Sequence, residues 1–294
     1  MGKIDAFRRF NVIPEVSDDH TFLNIRSFHA TSAVHKKIMQ ERKILKNYLP
    51  DSIFVRVYEN RIDLMRVAIV GAAGTPYHDG LFFFDIASPS DYPTRPPMIH
   101  YYSFRFQINP NLYKNGHVCL RLLNTWNGKY PCERWNRNKS NVLQVLLSLQ
   151  ALFLNEKPFF NEIIVCNLRG KSFWEKQARV YNAVPFATSC KIMLPLMRRL
   201  PKGFEDLVEE HFKGRASLIL GTCQAFKNGS CYPREDSSPS VCMKMSEKSK
   251  RLMKKLYPEL VVTFSRMGAS VEHFVEQLNE EKKQTQKRGV AKKL

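Results

Sequence analysis

The sequence predicts an α+β fold: an N-terminal helix, a four-stranded antiparallel meander and a buried central helix, followed by a helical C-terminal extension. Three observations carry that prediction. Apolar residues recur at helical spacing between 33 and 45, with Lys and Arg between them. Several β-rich runs then follow one another with short connections. Finally, 141–154 is apolar on most faces, as a helix in the core must be.

Residues 1–30 are mixed and aperiodic and read as a flexible arm. Ala33, Val34, Ile38, Ile44 and Leu45 make the apolar face of the first helix. Leu49 and Pro50 end it, because the residue before a proline is pushed out of the helical region. Ile53–Tyr58, Leu64–Val70 and 81–86 read as strands, joined too closely for parallel crossovers. The glycine-bearing stretch 71–80 lacks the Lys-Ser/Thr pair and the following helix of a phosphate loop, so it reads as a turn. Prolines at 89, 93, 96 and 97 exclude helix and central strand from 88–97, and 98–104 supplies the fourth strand. Beyond 141–154, helical patterns recur at 173–181, 192–200, 204–220 and 252–278. A Ser/Pro/Gly-rich linker at 229–240 separates the last two, and a basic, partly disordered tail follows.

Composition narrows the class of function. Over 294 residues the formal charge is +19, which favours acidic partners, an acidic protein surface among them. The basic residues are spread out and carry no nucleic-acid recognition motif. The seven cysteines form no C-x-x-C pair and are odd in number. With no secretory signal, they point to a reduced, intracellular protein rather than a disulfide scaffold or a zinc site. No apolar run approaches the ~18–20 residues of a membrane span, and the N-terminus lacks the Ser/Thr of a myristoylation signal.

The stretch 109–126 holds the candidate chemistry. Cys119 lies between an Asn-Pro-Asn turn at 109–111 and a short apolar run. A thiol held on a fixed turn is a candidate nucleophile. His117 and Arg121 each lie two residues from it, and side chains two apart share a face in an extended segment. If they face the sulfur, their charge favours the reactive thiolate.

The ordered set of the first helix, the Gly-Thr-Pro-Tyr turn at 74–77, the Tyr-Pro and Pro-Pro pairs at 92–93 and 96–97, the Asn-Pro-Asn turn, Cys119 and the apolar helix after Trp135 resembles the catalytic core of the ubiquitin-conjugating enzymes. The resemblance covers roughly 31–200. It is similar above all to the large plant members of the phosphate-homeostasis type and to the animal conjugating-enzyme/ligase hybrids, through 123–135, 157–162 and 197–205. It implies a flexible arm at 1–30, a catalytic core at 31–200, a helical extension at 201–228 and a linker with basic tail at 229–294.

The resemblance implies that Cys119 takes the C-terminal carbonyl of ubiquitin as a thioester from an activating enzyme. It then passes it to a lysine amine or a ligase cysteine. ATP is used only by the activating enzyme, and the core binds no cofactor and no metal. Asn111 occupies the position of the family's motif asparagine, which stabilises the oxyanion or closes the loop. Glu162 is a candidate for orienting or deprotonating the lysine, or a solvated loop carboxylate.

Three positions depart from the common pattern. Asn109 stands where most members have His, Arg121 where many have Asp, and Thr94 where many place a phenylalanine for ligase docking. An arginine there repels an incoming lysine, which leaves open a catalytically weak or inactive variant acting as a ubiquitin- or ligase-binding module. Cys132 is a second candidate nucleophile, while Cys166, Cys190 and Cys223 read as core or inert thiols. Trp126 and Trp135 read as packing at the lip of the site. Basic pairs between 250 and 288 fit a nuclear import signal or a solubilising patch, so the expected location is cytoplasmic, nuclear or both.

Overall fold

A computed structural model of the chain describes residues 7–25, 31–125, 133–229 and 246–291. Trp126 and Cys132 lie outside them. The chain divides into two compact units, Asp5–Ile192 and a second from Met193 onward.

The first unit is built on a five-stranded sheet in the order β1 (Phe10–Ile13), β2 (Ile53–Tyr58), β3 (Leu64–Val70), β4 (Leu81–Ala87), β5 (Met98–Tyr101). Strands β2 to β5 are the expected antiparallel meander. β1 is an addition: four residues from the stretch read as an arm pair in parallel with β2. So short a run carries no periodicity of its own. β5 stops short of 104 because Phe104 and Arg105 take positive φ angles of 47° and 66°, outside any strand.

Before the meander comes α1 (Ser32–Tyr48), capped by the Thr31 hydroxyl, which accepts from the Val34 N–H. Its buried Glu41 accepts from the Tyr92 hydroxyl at 2.8 Å and from the Val142 N–H at 3.0 Å. Val142 opens α2 (Val142–Ser148), so a carboxylate sits against that helix's electropositive end. Asn141 and Gln144 complete the start as a capping box. The helical stretch expected over 141–154 is therefore short, and a π-helical turn, Leu149–Phe153, continues it. Leu146 and Leu149 are buried, but Leu147 and Leu152 are exposed. The helix is one wall of the core rather than wholly interior.

β2 and β4 are buried along their whole length, so both faces of the sheet are covered. A polar row, Arg56, Arg66, Asp85 and His100, crosses four neighbouring strands in register. Arg66 donates to Asp85 at 2.7 Å and to Asp19 at 2.9 Å, with neither guanidinium nor Asp85 exposed. The Thr21 N–H donates to Asp85 at 2.7 Å, and the Tyr102 hydroxyl donates within the same cluster. This network fastens the segment around 19–21 to the sheet. Burial works against the Arg66 charge, and Asp85 more than offsets it, so the guanidinium pKa is raised. His20 is buried in the same place, and burial pushes its pKa below the usual 6.5. Its Nδ1 accepts from the Phe22 N–H at 3.3 Å, which leaves Nε2 to donate to the Met65 carbonyl at 3.1 Å. Ile13, Val16 and Phe22 pack on Tyr58, Leu64 and Ala87 beside it.

Two further helices, α3 (Ser172–Tyr181) and α4 (Ala183–Arg198), follow. In the second unit α5 (Glu205–Asn228), α6 (Glu247–Arg266) and α7 (Glu272–Ala291) pack in sequence, α5 on α6 and α6 on α7. Phe212 meets Phe264 edge-on, and Lys227 pairs with Glu281 at 2.6 Å. The helical pattern expected over 252–278 is two helices, divided at Gly268 with φ +80°. Among the described residues no helix is long and apolar enough to cross a membrane.

Candidate active site

The segment after β5 is locked by one buried amide. Asn109 donates from Nδ2 to the Tyr77 hydroxyl at 2.9 Å and to the Phe153 carbonyl at 2.8 Å. Its Oδ1 accepts from the Asn111 N–H at 2.9 Å. Both donors and the acceptor are used, so the turn is tied at once to the loop before β4 and to the π turn after α2. The chain then doubles back. Tyr113 N–H donates to the His117 carbonyl at 3.0 Å, and the Cys119 N–H to the Asn111 carbonyl at 3.0 Å. Gly116 makes the reversal with φ +85°, and a side chain there would strike the His100 ring. The peptide of the candidate nucleophile is thus bonded directly to the Asn-Pro-Asn turn.

Cys119 is half-buried. Its Sγ–H donates to the Thr125 carbonyl across 3.6 Å. Thr125 is itself pinned, since its hydroxyl accepts from the Leu120 N–H at 2.8 Å and lies 2.9 Å from the Val118 carbonyl. Burial pushes the Cys119 thiol above its usual 9.0. Little thiolate therefore stands ready at neutral pH. Alkylation of Cys119 by iodoacetamide, followed by peptide mapping, should still be accelerating near about pH 9, close to tenfold per pH unit below that. A plateau below about pH 8 would contradict the raised thiol.

The thiol opens into a cleft of about 940 Å³. Asn111 lines it, and its Nδ2 lies 3.4 Å from the Asn161 carbonyl. Arg121 lines it too, with its guanidinium paired to Glu133 at 2.7 Å. His117 is exposed, meets the Tyr113 ring at a tilt of 52° and opens onto a separate groove beside Pro96 and Met98. The shared face expected of 117, 119 and 121 requires a regular strand. Here the segment makes only isolated bridges around the turn at Gly116, so the alternation does not carry through.

Glu162 is exposed just after the 3-10 turn Pro158–Asn161; its neighbours Asn161 and Ile163 line the cleft and it does not. Trp135 donates from Nε1 to the Pro93 carbonyl at 2.7 Å and packs against Val34, Ile38 and Tyr92, binding the proline loop to α1. Thr94 is exposed on that loop. Cys190 and Cys223 are buried. Cys166, read from the sequence as a core or inert thiol, is exposed rather than in the core and lines the same cleft as Cys119. The sequence reading also missed Arg134 and Lys139 on the cleft wall. The signal was there, in the basic run around Trp135.

The sequence profile of the family described as ubiquitin-conjugating enzyme matches residues 37–181. An Arabidopsis thaliana protein provisionally assigned as ubiquitin-conjugating enzyme E2 38 is 45% identical over 225 residues, 76% of this chain and 68% of its own length. Another from the same plant, provisionally assigned as ubiquitin-conjugating enzyme E2 24, is 45% identical over 266 residues, 89% of this chain and 29% of its own. The chain thus spans under a third of that longer relative. The Homo sapiens dual E2 ubiquitin-conjugating enzyme/E3 ubiquitin-protein ligase BIRC6 is 39% identical over 204 residues, 66% of this chain and 4% of its own. With the match to E2 38 extending over two thirds of that protein, the chain belongs to the ubiquitin-conjugating enzyme family, a family of transferases.

Proposed function

We propose that Cys119 carries ubiquitin as a thioester and passes it to a substrate lysine or a ligase cysteine. The observation that supports this most is the half-buried thiol at the mouth of the cleft, bonded through its own peptide to the Asn111 turn. In the loading step the Cys119 thiolate attacks the carbonyl of ubiquitin's thioester with an activating enzyme, and that enzyme's sulfur leaves as thiolate. ATP drives the step on the activating enzyme alone, and the core needs no cofactor of its own. In the discharge step an amine or a second thiolate attacks the same carbonyl. The Asn111 amide, on the cleft wall, stabilises the oxyanion that forms. The ligase and the acidic partner of the basic extension belong to the same proposal, and on the proline loop Thr94 is exposed while the loop's aromatic residue, Tyr92, is buried.

The raised thiol favours one competing reading, a weak carrier that holds ubiquitin or a ligase without efficient transfer. Incubation with ubiquitin, activating enzyme and ATP decides between them. A reductant-sensitive adduct that discharges onto lysine is the expected result; no adduct marks the binding module.

A further inference from the structure

Resting on Cys119 as the carrier, we infer that the cleft beside it selects acceptors whose lysine is flanked by acidic residues. The charged side chains lining the cleft are Arg121, Glu133, Arg134 and Lys139. Arg121 and Glu133 are joined at 2.7 Å and largely cancel. Arg134 and Lys139 remain, both exposed, and no ion pair reaches either among the described residues. The rest of the wall is apolar or neutral, including exposed Leu147 and Leu152. The cleft therefore carries a net positive rim among apolar and neutral side chains.

An acceptor lysine arrives as an ammonium and meets that rim. Over distances shorter than the Debye length of ~8 Å, the repulsion is only partly screened. Carboxylates two or three residues from the lysine, about 7–10 Å along an extended peptide, fall within a cleft of this size and offset it. Steering of this kind raises local substrate concentration and on-rate. In the transfer itself the acceptor nitrogen bonds to the thioester carbonyl carbon and the C–S bond breaks. The ammonium gives one proton to water before it attacks, the sulfur leaves as the Cys119 thiolate, and the nitrogen gives a second proton to water as the amide forms. Arg134 and Lys139 act before that step, on which peptide is seated.

The test loads the 294-residue chain with ubiquitin, removes ATP and adds one of two single-lysine peptides of equal length. One carries Asp and Glu around the lysine, the other Lys-free basic residues, Arg, at the same places. The acidic peptide should discharge the thioester about fivefold to tenfold faster, with the gap closing as salt rises. An R134E/K139E variant should lose or reverse the preference. Equal rates on the two peptides, including no discharge to either, overturn the inference, as does a preference unchanged in the variant. Loading is read first on the same gel, so a chain that never forms the adduct counts against the carrier role rather than against acceptor selection.

Discussion

Asn111→Ala is expected to slow discharge of loaded ubiquitin onto free lysine by about 10²–10³-fold, the usual loss when one oxyanion donor is removed. The competing account makes the amide a clip for the turn at 158–161. The geometry separates the two. Asn111 gives that turn a single long bond, 3.4 Å to the Asn161 carbonyl. Asn155 holds the same turn independently, donating to Asn161 Oδ1 at 2.8 Å and accepting from the Lys157 N–H at 2.9 Å. Losing the Asn111 amide therefore leaves the turn supported, and a large loss reports on the carbonyl at Cys119. Single-turnover discharge, corrected for the loaded fraction, is the measurement. A fall of less than about threefold would assign Asn111 to the loop alone.

Arg66→Ala is expected to cost about 3–5 kcal/mol of stability, read from urea unfolding, because it removes the cation that two largely buried acids share. Asp85 is fully buried and Asp19 three-quarters so, and Arg66 is the cation that both contact. The double replacement Arg66→Met with Asp85→Leu should recover only part of the loss, since it removes the buried Asp85 charge but still deprives Asp19 of Arg66 and takes the acceptor from the Thr21 N–H. The same cluster fastens the chain around 19–21, so the single variant should also expose that stretch to proteolysis. A loss under about 1 kcal/mol for Arg66→Ala would mean that water reaches the cluster.

The elements that sequence alone makes legible are those whose pattern is local. α1 announces itself by spacing and by its Thr31 cap, β2 to β4 by runs of β-branched and aromatic residues, and the proline loop by composition. β1 is not legible, because its four residues owe their strand to pairing with β2, a contact more than forty positions away. The buried polar row is legible only in part. Arg56, Arg66 and Asp85 each interrupt an apolar run, but only the register between strands sets the three side by side in one row. At the site, the Asn-Pro-Asn turn and Cys119 stand out through motif order. The direction of His117, the pairing of Arg121 with Glu133 and the exposure of Cys166 depend on how the chain reverses at Gly116 and how 158–166 folds over the cleft. No spacing rule carries that information.

The most direct measurement is to load the chain with ubiquitin, unfold it in urea under mild acid so that the buried Cys190 and Cys223 also react, alkylate every free thiol, release the adduct with reductant and map the newly freed cysteine. Cys119 alone should be protected in the loaded protein, and Cys119→Ala should form no reductant-sensitive adduct. Protection of Cys166 or Cys132 with Cys119 fully alkylated, or an adduct that survives Cys119→Ala, would contradict the carrier role of Cys119.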